Sequence, residues 1–210
     1  MSDALERWRR VARRNSGDDY AQQYADRFDE LAASGEDVHG EAAFVAALAP
    51  AGVAVLDAGC GTGRIGQRLS ELGFDVVGVD VDPSMVAVAQ ERAPQVEWHV
   101  ADLAALDLGR TFDVVVSGGN VFPFLGLDVL PAALESIAAH LVPESYLVAG
   151  FGLDADHLPP GGPLVPLGAY DDACAAAGLT LEVRYDGWDS SPWTDSGYHV
   201  SVHRSPGLAA

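Results

Sequence analysis

Val53-Ala54-Val55-Leu56-Asp57-Ala58-Gly59-Cys60-Gly61-Thr62-Gly63-Arg64-Ile65-Gly66 is the stretch that decides how this chain is read. It opens as a short apolar run rich in β-branched residues, the pattern of a strand buried in a parallel sheet. Asp57 sits where that strand should end, and Gly59, Gly61 and Gly63 follow at alternate positions. From Arg64 the spacing becomes helical. The order is therefore strand, glycine-rich turn, helix. Glycine takes positive φ freely and lets a ligand lie against bare backbone, while the free N–H groups at the helix start favour negative charge. Such a turn is built to receive a nucleotide-like molecule.

Working outward, the same alternation repeats. Phe74 to Asp80, Val96 to Val100, Phe112 to Val116 and Tyr146 to Phe151 read as further strands. Helical patterns separate them: one from Gly63 to Leu72 ending at Gly73, one started by Asp82-Pro83, and one from Leu127 to Leu141. Pro143-Glu144-Ser145 reads as a turn, and Ala169 to Ala177 as a short helix closed by Gly178. Leu179 to Tyr185 and Tyr198 to His203 alternate apolar and polar, as an antiparallel hairpin with a long loop should. Ahead of the core, helices are expected over residues 3–14, 18–33 and 40–48, with Ser16 and Asp19 as a capping box for the second. Tyr20, Tyr24, Phe28 and Leu31 form a stripe along that second helix.

Two motif readings compete for the glycine turn. Gly61-Thr62-Gly63-Arg64-Ile65-Gly66 is literally G-x-G-x-x-G, with Asp80 at the distance of a ribose-binding acid, which suits a nicotinamide-dependent oxidoreductase. The longer pattern, Asp57-x-Gly59-x-Gly61-x-Gly63, resembles the first motif of the class I S-adenosylmethionine (SAM)-dependent methyltransferases. Val79-Asp80-Val81-Asp82-Pro83-Ser84-Met85 resembles their second motif, and the chain keeps to the pattern after the third and fourth strands. The likeness runs from about Val53 to His203. It implies an α/β fold of three layers, a Rossmann-like methyltransferase sheet of seven mostly parallel strands ending in the antiparallel hairpin.

The resemblance also implies a cofactor site. Asp57 is expected to reach the methionine amino group or hold the turn; Gly59, Cys60, Gly61 and Gly63 admit the cofactor. Asp80 takes the ribose hydroxyls, with Val81 and Met85 against the adenine. Asp102 meets the adenine amino group and Leu103 packs on the ring. Ser117 lies at the methionine end, and Tyr20 lines the pocket from an N-terminal lid. Substrate candidates are Asn120, Phe122, Asp154, Trp188 and Trp193, and proton-transfer candidates are His157 and Tyr20. The N-P-P-Y sequence of adenine and amide N-methyltransferases is missing after the fourth strand, which argues against bases and protein amides as acceptors.

Bulk properties bound the rest. The chain has 210 residues, 49% of them apolar, enough to bury a core without disulfides. Its net charge of −19, with no lysine, repels phosphate backbones, so no nucleic acid is expected as partner. The arginines around Trp8 in the first helix read as a solvated face that pairs with the acidic body, with a surface for an anionic partner as the alternative. Two cysteines form no disulfide framework, and the six histidines lack metal-ligand spacing, so no metal is expected. No apolar run of spanning length and no signal segment occur, which points to the cytoplasm and away from membranes. The expectation is a single methyltransferase domain over 1–210: N-terminal helices or lid at 1–50, SAM-binding core at 51–210. Its activity is methyl transfer from SAM, released as S-adenosylhomocysteine (SAH), to a small molecule. An NAD(P)-dependent oxidoreductase and a non-catalytic SAM-binding module stay open as alternatives.

Overall fold

The computed structural model describes residues 3–207. Three helices come first: α1 (Asp3–Ser16), α2 (Tyr20–Ala33) and α3 (Gly40–Leu48). Then β1 (Ala54–Ala58), α4 (Arg64–Glu71), β2 (Asp75–Asp80), α5 (Pro83–Arg92), β3 (Glu97–Val100) and β4 (Phe112–Ser117) alternate. A short α6 (Val121–Leu125) and α7 (Leu130–Ala139) lead to β5 (Leu141–Gly152), α8 (Leu167–Ala176), β6 (Thr180–Tyr185) and β7 (Tyr198–Arg204). The seven strands form one sheet in the order β3-β2-β1-β4-β5-β7-β6. Neighbours from β3 to β5 run parallel, and β7 lies antiparallel to both β5 and β6.

Strand alternation splits the core into two layers. On one face Leu56, Val77, Val115 and Leu147 pack on Leu134, Ile137 and Tyr170 of α7 and α8. On the other, Val55, Val76, Val114 and Val148 pack on Phe44, Ile65, Leu69 and Val86 of α3, α4 and α5. Both faces are apolar, so strands β1 and β4 read as near-continuous hydrophobic runs. The sheet grows from β1 to β3 on one side, and the chain then returns to lay β4 on the other side of β1. That reversal leaves a crevice beyond the carboxyl ends of β1 and β4, the usual ligand position in such sheets.

Several local expectations needed correction. Residues 143–145 do not break the chain; β5 runs through them with Glu144 at φ 62°, and the β4–β5 register shifts between Phe112 and Val114. The helix expected from Leu127 begins at Leu130, with α6 placed before it. No capping box closes the start of α2, where the Asp19 side chain makes no capping bond. Asp82 does cap α5, accepting the Ser84 N–H at 3.0 Å, with Pro83 next.

Candidate active site

A cavity of about 240 Å³ sits over the carboxyl ends of β1, β2 and β4. Its floor is Gly59, Cys60 and Gly61 from the turn after β1, together with Gly118 and Gly119 after β4. Asp80, Val81 and Met85 form one wall, continued by Asp102 and Leu103 beyond β3. Trp8 from α1 and Tyr20 and Tyr24 from α2 lie across the top. The topology thus gathers nine of the sequence-predicted cofactor residues, Tyr20, Gly59, Cys60, Gly61, Asp80, Val81, Met85, Asp102 and Leu103, on one space.

The two cavity carboxylates are held by backbone. Asp80 accepts the Gly61 N–H on Oδ2 and the Asp82 N–H on Oδ1, both at 2.9 Å. Burial pushes its carboxyl up to about 6, against the pull of those same N–H groups. Asp102 accepts the Ala104 N–H at 3.0 Å, which caps a turn of 3₁₀ helix at Leu103–Ala105. This fixes one lone pair on each oxygen of Asp80 and one on Asp102, and leaves the others to accept hydroxyl or amino donors.

The remaining cofactor candidates lie behind the cavity. Asp57 is fully buried and accepts the Gly66 N–H at 2.8 Å, so it holds the start of α4 and does not line the cavity. Burial raises its carboxyl to about 7. Gly63 (φ 84°) starts α4, and a Cβ there would lie 2.9 Å from both Ala89 and the Trp98 indole. At Gly66 a Cβ would stand 2.8 Å from Trp98. The literal G-x-G-x-x-G therefore owes its last two glycines to packing beneath Trp98, whereas at Gly61 a Cβ would meet only Met85, at 3.4 Å. Ser117 donates its hydroxyl to the Ala58 carbonyl at 2.9 Å, stitching β4 to β1.

The substrate and proton-transfer candidates are not gathered at the cavity. Phe122 is 1% exposed and packs on Phe151 and Tyr170, a core residue. Asn120 clips two loops together, donating to the His157 carbonyl at 3.1 Å and accepting the Gly152 N–H at 2.6 Å. Asp154 and His157 pair with each other at 2.7 Å on the exterior. Trp188 packs edge-on against Phe44 and donates to the Tyr198 hydroxyl at 3.0 Å, bordering a separate groove. Trp193 lies under the Arg184 guanidinium on the hairpin. Tyr20 does reach the cavity, but its hydroxyl is bonded to Asp82 and burial raises its pKa, so it is a neutral donor and not a base.

The sequence reading expected an N-terminal lid with Tyr20 lining the pocket, but it did not name the other residues found there. Trp8, Tyr24, Phe124 and Leu125 line the cavity, and Asp82, read there only as a cap, is fully buried beneath the helices. Arg9 pairs with it at 3.0 Å and Arg7 pairs with Asp128 at 2.6 Å, so these two of the five α1 arginines meet the acidic body, while Arg13 pairs locally with Asp18. The apolar spacing of Ala4, Trp8, Val11 and Ala12 was the available signal for a buried face on that helix.

Residues 55–144 match the model of a methyltransferase domain family. The chain is similar to the crystal structure of a TehB-like SAM-dependent methyltransferase from Corynebacterium glutamicum, with a TM-score of 0.79 and 36% identity over 89% of this chain and 98% of that one. It therefore belongs to the SAM-dependent methyltransferases. It is also similar to a dTDP-3-amino-3,6-dideoxy-alpha-D-glucopyranose N,N-dimethyltransferase from Streptomyces fradiae, 34% identical over 62% of this chain and 53% of that protein. A dTDP-4-amino-2,3,4,6-tetradeoxy-D-glucose N,N-dimethyltransferase from Saccharopolyspora spinosa is 31% identical over 61% of this chain and 54% of that protein. The chain spans about half the length of these curated relatives. Family membership and the antiparallel β7 remove the nicotinamide-dependent alternative.

SAM is the cofactor of this family, and the residues present fit it. The cavity offers two backbone-held carboxylates at adjacent strand ends, a glycine with room above it, and apolar side chains in Met85 and Leu103. Those features match a diol, an amino-purine and the approach of a ligand to bare backbone.

Proposed function

We propose that this protein transfers the methyl group of SAM to a small-molecule acceptor in the cytoplasm. The carrying observation is the convergence of Asp80, Asp102 and Gly61 on one cavity roofed by α1 and α2. The sulfonium of SAM supplies an electrophilic methyl group. Asp80 accepts the ribose hydroxyls, Asp102 accepts from the adenine amino group, and Met85 and Leu103 hold the ring between them. The first 50 residues act as a lid on a SAM-binding core, within a single methyltransferase domain. Trp8, Tyr20 and Tyr24 exclude water, and the chain's main contribution is alignment, an effect worth up to about 7–11 kcal/mol.

Among the described residues lining the cavity there is no histidine, and both carboxylates are engaged by backbone. An acceptor that attacks while neutral and sheds its proton to water afterwards suits such a site. Amines behave this way, and the two curated relatives above are N,N-dimethyltransferases of amino sugars. A field of net charge −19 also attracts the protonated form of such an amine, which must give a proton to water before its lone pair can attack, and repels nucleic acid.

Calorimetric titration with SAM and SAH, followed by a labelled-methyl assay on amino sugars, simple amines, phenols, thiols and carboxylates, tests this reading. Micromolar SAM binding with transfer to at least one amine is expected. Tight SAM binding with no transfer to any acceptor class would move the protein to a non-catalytic SAM-binding role.

A further inference from the structure

Asp82 lies two residues beyond Asp80, and no step above uses it. Its carboxylate is fully buried and receives five hydrogen bonds. Oδ2 accepts from Trp8 Nε1 at 3.1 Å and from the Tyr20 hydroxyl. Oδ1 accepts from Arg9 Nη2 and from the N–H and hydroxyl of Ser84, each at 3.0 Å. Three donors thus come from α1 and α2, while the Asp82 N–H itself donates to Asp80 Oδ1 at 2.9 Å. Burial alone would raise this carboxyl; the bonds from Arg9, Tyr20 and Ser84 outweigh it and hold it below the ordinary range. Among the described residues the other polar ties of these helices include a part-buried one from Arg7 to the Leu125 carbonyl beside the cavity and exposed ones such as Arg7 to Asp128 and Arg92 to Asp29, none of which touches Asp80 or its neighbours.

A buried charge satisfied by donors from three separate elements has one low-energy arrangement, because losing any donor leaves the charge short of a partner. We infer that Asp82 is a positioning residue for the cofactor: it fixes α1 and α2 over the cavity and, through its own N–H, aims Asp80. This rests on the assignment of Asp80 to the ribose. The lid and the sugar-binding acid are then one unit, so release of the cofactor requires the donors on α1 and α2 to leave Asp82. If Asp82 did no more than cap α5, its two bonds with Ser84 would suffice and the donors from α1 and α2 would be dispensable.

Arg9 separates these cases, since it bonds Asp82 yet does not line the cavity. The full-length protein and its Asp82→Asn, Tyr20→Phe, Arg9→Gln and Asp80→Ala variants are compared by stopped-flow release of SAH and by hydrogen exchange, with and without SAH. Asp82→Asn is expected to release SAH at least tenfold faster, and Arg9→Gln at least threefold faster, with association rates within threefold of the parent. Exchange over residues 3–33 should rise in the ligand-free forms of both. Asp80→Ala should weaken SAH binding without raising that exchange. Release from Arg9→Gln and Tyr20→Phe at the parental rate, or an exchange increase confined to residues 83–92, overturns the inference. Should Asp82→Asn fail to fold, Arg9→Gln and Tyr20→Phe decide. If the parent binds no SAH, the Asp80 assignment fails, and ligand-free exchange over 3–33 alone judges the hold of Asp82 on the helices.

Discussion

The backbone N–H of Gly61 donates to Oδ2 of Asp80 at 2.9 Å, so the glycine turn after β1 is latched to the acid that ends β2. A change at Asp80 therefore disturbs two walls of the cavity at once. Asp80→Ala is expected to weaken SAM binding by more than tenfold, read by calorimetry. Asp80→Asn keeps one oxygen for a backbone donor and should lose less. Equal affinity in all three proteins would remove Asp80 from the site.

The glycines of the turn do different work. Gly63→Ala places a methyl group 2.9 Å from Ala89 and Trp98 at a backbone φ of 84°, and no flexible side-chain end can yield. We expect a loss of about 2 kcal/mol or more in urea unfolding. Gly61→Ala also carries backbone strain, at φ 54°, but meets only the end of Met85 at 3.4 Å, so its stability loss should be smaller and its larger effect should fall on SAM affinity. A reversed pattern would contradict the division drawn between packing and ligand approach.

Phe122 belongs to the core, with its ring 5.5 Å from that of Tyr170. Phe122→Ala should cost about 3–5 kcal/mol of stability and lower the melting temperature by roughly 6 °C or more. A variant with parental thermal stability and impaired acceptor turnover would instead return Phe122 to the substrate side.

His199 and His203 are 0% and 1% exposed, and neither ring nitrogen of His199 has a hydrogen-bond partner. Burial, reinforced by the charge of Arg184, pushes them down to about 3 and about 4. Unfolded histidine titrates near 6.5, so both rings are neutral in the fold when the unfolded chain has already taken up protons. Their contribution is complete above about pH 6.5 and is lost as pH falls, at roughly 1.4 kcal/mol per pH unit for each ring. Urea unfolding at pH 8, 6 and 5 reads this slope. His199→Phe keeps a ring 4.2 Å from Phe151 and removes the unpaired nitrogens; it should be more stable than the parent at pH 5 and show a shallower slope. Parallel slopes would show that His199 does not carry the acid sensitivity.

Much of the architecture was legible because parallel strands buried on both faces leave a local signature. Val55-Leu56, Val76-Val77 and Val114-Val115-Val116 are runs that only a two-sided core explains; the alternation of the terminal hairpin located its strands but not their burial, since β7 is buried on both faces, His199, Ser201 and His203 included, and β6 on neither. Asp80 and Asp102 could be placed because a residue at a strand's carboxyl end has its position fixed by the strand. Loop residues lack that constraint. Asn120 and His157 were assigned because they follow strand ends and Trp188 because it lies in the hairpin loop, and their partners come from elements 20 or more residues away or from loop geometry no pattern encodes. Asp82 illustrates the same limit. Its capping role is a three-residue matter and was readable, but its bonds to Trp8, Arg9 and Tyr20 span 62 to 74 positions.

The placement of β7 between β5 and β6 has a temporal side. A ribosome that has released the chain only through β6 has made a strand with no neighbour to pair with, since its one partner is still unsynthesised. Residues 198–204 must then thread in antiparallel to both strands, closing a gap in the sheet. Until they do, the exposed edge of β5 is open to unwanted association with other chains, so aggregation during synthesis should depend on how soon that last strand emerges.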